Sequence, residues 1–150
     1  MKNTIRFKVL ANPEQKGSKK AFPMKGKDGK TRCILAPANP AFKVFEKAIR
    51  SIIAIMKLSP SPLFTGAVSV KLKFYLKRPK STKRPYPSVS PDLDKYCRTV
   101  LDALTGWIYK DDGQVVVLVA TKEYVQKNNA IGVEIEVKHI EEIEKGDLLL

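Results

Sequence analysis

The stretch PDLDKYCRTVLDALTGWIYKDDGQVV, residues 91–116, changes period twice and collects five aspartates: Asp92, Asp94, Asp102, Asp111 and Asp112. From Asp92 onward Leu93, Cys97, Val100, Leu101 and Leu104 recur at helical spacing, and Gly106 stands where a left-handed residue closes a helix. KDDG then makes a turn, and QVVVLVATKEYV follows as an apolar, β-branched run of the kind found in buried central strands. The stretch thus reads as helix, turn, strand, and the rest of the chain is fitted around it.

Upstream, Val68, Val70, Leu72, Phe74 and Leu76 alternate with Lys71, Lys73, Tyr75 and Lys77, which predicts a strand with lysines on its outer face. Phe42, Phe45, Ile49, Ile52, Ile53 and Met56 share one face of a helix, with Asn39 as its expected N-cap, Pro40 in its first turn, and Pro60 and Pro62 ending it. Ile5, Phe7 and Val9 alternate with Arg6 and Lys8 in a first strand. Ile131, Val133, Ile135 and Val137 alternate with Glu134, Glu136 and Lys138 in a last one, which Asn128 and Asn129 are expected to enter by a hairpin turn. Residues 12–33 and 77–91, rich in Lys, Gly, Pro and Ser, read as flexible basic loops, and residues 141–150 as a frayed acidic tail. The order β-α-β-α-β-β predicts a mixed α/β (α+β) fold: one domain over residues 1–150, with a four-stranded mixed sheet and two main helices.

Hydrophobic residues make up 43% of the 150, enough for a core without disulfide or metal staples. The net charge is +13, which calls for a polyanionic partner. That charge is uneven: residues 1–90 hold 21 Lys and Arg against 3 Asp and Glu, residues 91–150 hold 7 against 12. The lysines lie on loops and a strand, not along one amphipathic helix, so nucleic acid is favoured over a membrane surface. No apolar run approaches the roughly 20 residues of a membrane span. MKNTIRFKVL carries charges inside its apolar run and reads as a strand, not a signal peptide. Cys33 and Cys97 follow no paired metal spacing and fit a reduced, cytoplasmic protein, with Cys97 a core thiol.

Asp92 and Asp94 open the second helix, where free N–H groups and the dipole favour carboxylates; Asp92 alone reads as a cap. The second pair, Asp111 and Asp112, precedes a strand, and a return of the linker through Trp107, Ile108 and Tyr109 along the helix would bring the two pairs together. Converging carboxylates repel one another unless a cation sits among them, so a divalent metal is expected. His139 is the only histidine and there is no cysteine pair, which disfavours zinc. An all-oxygen Mg²⁺ site, with Mn²⁺ as a substitute, fits the donors, and neither acidic segment has the layout of a calcium loop. Such a metal in a basic protein points to phosphodiester hydrolysis, with no small-molecule cofactor. Arg98 lies one turn beyond Asp94 and Asp102 one turn further; the row is either an ion-pair ladder, the reading preferred for Asp102, or places a cation on the scissile phosphate, with Lys95 the second candidate.

Together, Asp92-Leu93-Asp94, Arg98, Leu101-Asp102-Ala103-Leu104, the aromatic linker 107–109 and Asp111-Asp112-Gly113-Gln114-Val115-Val116 resemble the RusA-type Holliday junction resolvases. The resemblance implies a homodimeric, Mg²⁺-dependent endodeoxyribonuclease, often phage-borne, that nicks four-way junctions symmetrically in recombination and repair. It also implies Asp92, Asp94 and Asp112 as the essential carboxylates. Lys95 stands where the family usually has Asn, and Arg98 where it has Lys. A four-way junction has two equivalent strands to cut, which suits a two-fold dimer paired through the strand after Gln114 or the first helix. Lys16, Lys19, Lys20, Lys25, Lys27, Lys30 and Arg32 on the first loop, Lys77, Arg78, Lys80, Lys83 and Arg84 on the second, and Lys95 are the expected DNA contacts. Phe22 and Tyr86 either stack on unpaired bases or pack on the domain. Glu46 is expected to face solvent, the alternative being a further metal ligand if the first helix passes the acidic cluster. The competing function is a non-catalytic nucleic-acid-binding protein whose acids only cap a helix and a turn.

Overall fold

Each alternating run forms the strand it predicts, and the computed structural model describes residues 2–17, 19–37 and 40–141, with only the backbone for residues 19, 20 and 35–37. The main elements are β1 (Thr4–Val9), α1 (Phe42–Ile55), β4 (Val68–Leu76), α2 (Leu93–Leu104), β5 (Val115–Tyr124) and β6 (Gly132–His139), with β2 (Lys19–Lys25) and β3 (Thr31–Pro37) between β1 and α1. β1, β6, β4 and β5 make a four-stranded mixed sheet in that order, with β4 and β5 parallel and the other pairs antiparallel. The mixed fold, its two helices and its four-stranded sheet are as expected.

Period-2 alternation sorts the sheet into two faces. Phe7 and Val9 of β1, Val70, Leu72 and Phe74 of β4 and Ile135 and Val137 of β6 point inward. They meet Phe45, Ile49 and Ile53 of α1 and Val100, Ala103 and Leu104 of α2 in one core. The opposite face carries Arg6 and Lys8, Lys71 and Lys73, and Glu134 and Glu136; Arg6 pairs with Glu136 at 2.6 Å and Lys8 with Glu134 at 3.1 Å. Among the described residues no helix is long and apolar enough to cross a membrane.

Four local expectations change. First, the segment read as a loop over residues 12–33 is ordered. Residues 12–17 lie along α2, with the Thr99 hydroxyl donating to the Glu14 carbonyl at 2.8 Å and the Lys16 N–H to the Lys95 carbonyl at 3.2 Å. Lys19–Pro37 then folds as a two-stranded hairpin, Phe22 opposite Ile34 and Met24 opposite Arg32. Lysine spacing hid a strand alternation whose described side chains, residues 21–34, stay exposed or, at Gly26, half-exposed. Second, β5 is an edge strand, not a central one: Val116 is 56% and Leu118 43% exposed. A continuous apolar run signals two covered faces, and here the cover on one side is missing. Third, Asn128 and Asn129 lie in a turn, the Asn129 N–H donating to the Gln126 carbonyl at 3.0 Å, but it is not a hairpin turn, because β6 pairs with β1 and β4 and not with β5. Fourth, α1 starts after Ala41, which makes no side-chain cap; the expected cap Asn39, like most of the acidic tail (142–150), lies outside the described residues. The second basic loop, 77–91, is irregular as read.

Candidate active site

α2 begins at Asp92, whose backbone is extended and whose side chain makes no capping bond; its carboxylate instead lies 3.4 Å from Lys95 Nζ. Asp94 is exposed in the first turn and carries no ion pair among the described residues. The approach to this end is fixed from β5: Lys122 Nζ donates to the carbonyls of Val89 at 2.7 Å and Pro91 at 2.8 Å. Lys122, between Thr121 and Glu123 near the end of β5, gave no sign of that task in the sequence.

Gly106, at φ +80, closes the other end of α2, and only a residue without Cβ adopts that conformation cheaply. The chain returns through Tyr109, which is buried in the core with its hydroxyl donating to the Leu101 carbonyl at 2.9 Å. Asp111 accepts from the Gly113 N–H at 2.8 Å, while Gln114 Oε1 accepts from the N–H groups of Lys110 at 2.9 Å and Asp111 at 3.0 Å. Gln114 Nε2 donates to the carbonyls of Phe64 and Gly66, each at 2.9 Å, so one side chain pins the acidic turn to the entry of β4. The sequence reading quoted Gln114 as part of the motif but gave it no structural task, although Asp111 and Gln114 stand at capping-box spacing.

The two acidic groups therefore sit at opposite ends of α2. Asp112 feels Asp111 and Asp102, at the C-terminal end, whereas Asp94 acts on Cys97 near the N-terminal end. Eight residues of helix separate Asp94 from Asp102, about 12 Å at 1.5 Å per residue. Among the described residues no group of three or more His, Cys, Asp or Glu side chains could hold a metal ion. The return of the linker brings Asp111 and Asp112 to the end of α2 and not to its start.

The Asp112 carboxyl is held above the usual carboxylate range by the hydrogen bond with Asp111, by burial and by the charges of Asp111 and Asp102, against a weaker opposing bond from the Gly113 N–H. No Lys or Arg pairs with either Asp111 or Asp112 among the described residues. The turn is thus short of positive charge, and its donors are carboxylate oxygens that suit a hard divalent cation. Because folded Asp112 binds its proton more tightly than the unfolded chain, its stabilising contribution is complete below the ordinary value of 3.8 and is lost as pH rises through the raised value. Thermal melts in chelator should show Asp112→Asn gaining on the wild type as pH rises through that window, modestly because the group is exposed. Parallel profiles would count against the assignment.

The basic residues divide. Lys16 is committed inside the fold: its Nζ lies 2.7 Å from Asp102 and 3.2 Å from Glu46, over the Phe42 ring at 4.9 Å. The ladder expected from Asp94 through Arg98 to Asp102 does not form, and Glu46 is half-buried against Lys16, not solvated. Lys95 is taken by Asp92, while Arg98 is exposed with no partner among the described residues. Lys77, Arg78, Lys80, Lys83 and Arg84 are exposed on the second loop, with Arg78 over the Tyr124 ring at 5.3 Å. Tyr86 is 67% exposed rather than packed on the domain. Lys19 and Lys20 lie on β2, their side chains outside the described residues. His139 stacks on Phe64 and bonds the Thr65 carbonyl at 2.6 Å, away from any metal role.

Two comparisons bear on these features. The sequence profile of a family described as endodeoxyribonuclease RusA matches residues 18–138. The chain is also similar to the uncharacterized protein YqaN of Bacillus subtilis (strain 168), 30% identical over 135 residues that cover 82% of this chain and 89% of that one.

Proposed function

Because the chain belongs to the RusA endodeoxyribonuclease family, we propose that it is a cytoplasmic, Mg²⁺-dependent endonuclease that nicks four-way DNA junctions symmetrically as a homodimer, in recombination and repair. The observation that carries the reading is the placement of Asp94 at one end of α2 and of Asp111 and Asp112 at the other, none of them ion-paired among the described residues, beside an edge strand that runs antiparallel to that helix. Asp112 leads into β5, and Lys122, near the other end of β5, holds the segment just before Asp92. β5 has no neighbour on its outer side among the described residues and exposes Val116 and Leu118. An antiparallel contact between two copies of β5 across a two-fold axis would carry the Asp112 of one protomer to the Asp92 and Asp94 of the other. Each dimer would then hold two composite sites, one for each strand to be cut.

In this reading Asp92, Asp94 and Asp112 hold Mg²⁺, or Mn²⁺ in its place, and the ion when bound supplies water activation and charge stabilisation at the departing oxygen. Arg98, one turn from Asp94 and without a partner among the described residues, holds the scissile phosphate; its planar guanidinium suits two phosphate oxygens at once. Lys95 stays with Asp92 and supports its orientation. The exposed cations of the second loop bind flanking phosphates, with affinity that falls steeply as salt rises.

The test is incubation with matched linear and four-way DNA, with and without Mg²⁺. The expected result is nicking of the four-way substrate only, and only with the metal. Tight binding without metal-dependent nicking of either DNA would instead favour a non-catalytic nucleic-acid-binding protein.

A further inference from the structure

Among its described side chains, residues 21–34, the β2–β3 hairpin buries nothing in the domain, yet it carries an apolar face. Phe22 and Met24 project on one side of β2, and Ile34 stands directly across from Phe22, so the three share a face. They are 45%, 54% and 40% exposed, and every residue from 21 to 34 except Gly26 is exposed. A lone two-stranded hairpin is marginally stable in water, and an uncovered apolar face on one marks a contact surface. In sequence the hairpin carries six Lys and Arg against the single acid Asp28, which is itself paired with Arg32 at 2.9 Å. The root is anchored: residues 12–17, just before β2, are bonded to α2 through Thr99 and Lys95, so the hairpin extends from the helix that bears Asp92 and Asp94.

We infer that this hairpin is a DNA-gripping arm that recognises the branch point, with Phe22, Met24 and Ile34 placed against bases unstacked at the crossover and Lys25, Lys27 and Lys30 on the adjoining phosphates. Charge decides the occupant: a basic, two-stranded ribbon complements a polyanion, whereas a second copy of the same ribbon would repel it. Apolar side chains inserted at a base step are favoured where stacking is already broken, and a four-way junction offers that at its centre while a linear duplex does not. The inference takes its choice of branched DNA from the nuclease reading, and it deepens that reading by naming what selects the junction.

Binding of the wild-type chain in chelator to four-way and matched linear DNA, with 2-aminopurine at the branch, tests it independently of cleavage. Phe22→Ala and Met24→Ala together are expected to weaken junction binding on the order of tenfold and to remove the fluorescence rise that reports unstacking, leaving linear binding unchanged. Replacing Lys25, Lys27 and Lys30 by Ala should weaken binding to both DNAs and flatten its salt dependence. The inference fails if the apolar variants keep the full junction preference, or if they turn a wild-type dimer into a monomer in sedimentation, which would make the face a contact between copies. Sedimentation also reports whether the variants remain folded. Absence of nicking in a separate Mg²⁺ assay would sink the nuclease reading while leaving the arm's preference measurable.

Discussion

Asp112→Asn is expected to abolish Mg²⁺-dependent nicking of a four-way junction while leaving DNA binding intact or tighter. The substitution keeps size and hydrogen-bonding shape and removes one negative charge from a turn whose carboxyl already resists ionising beside Asp111 and Asp102. Binding to a polyanion gains from that removal. Catalysis loses a ligand whose ion stabilises transition-state charge by several kcal/mol, so a drop on the order of a thousandfold or more is expected. Nicked-product formation and gel-shift affinity, measured on one preparation, check both halves. Cleavage at the wild-type rate would remove Asp112 from the site.

The second large effect concerns which chain supplies which carboxylate. Protomers with Asp94→Asn and protomers with Asp112→Asn should each be inactive alone, and their co-expressed mixture should recover nicking. In a mixed dimer with composite sites one site collects both substitutions and the other none. Random assortment then restores roughly a quarter of the wild-type sites. If each protomer's own acids formed its site, every site in the mixture would carry one substitution and the mixture would stay dead. The roughly 12 Å of helix between the two acidic ends is the physical reason to expect recovery.

The sequence made the architecture legible where side-chain period and burial coincide. β1, β4, β6 and both helices bury one face each, and their apolar residues, such as Phe45, Ile49, Val70 and Ile135, occur at the spacing that burial requires. It misled where that coupling fails. The hairpin's Phe22, Met24 and Ile34 alternate without being covered, and lysines between them read as loop. β5 looked central because its apolar residues are consecutive, yet among the described residues nothing pairs with its outer side. The site was legible as a set of residues and not as an arrangement: nothing in the order of Asp92, Asp94, Asp111 and Asp112 says that a helix holds them apart. Long-range bonds were equally hidden. Lys16 to Asp102, Gln114 to Phe64 and Lys122 to Pro91 join residues whose separation carries no periodic signal.

The two cysteines differ in a way that makes the arm easy to watch. Cys33 is exposed on β3, while burial, with the charge of Asp94 adding to it, pushes the Cys97 thiol up to about 11. Since alkylation needs an accessible thiolate, a maleimide dye at neutral pH should attach at position 33 and spare the core, giving the unaltered protein a site-specific optical reporter on its hairpin.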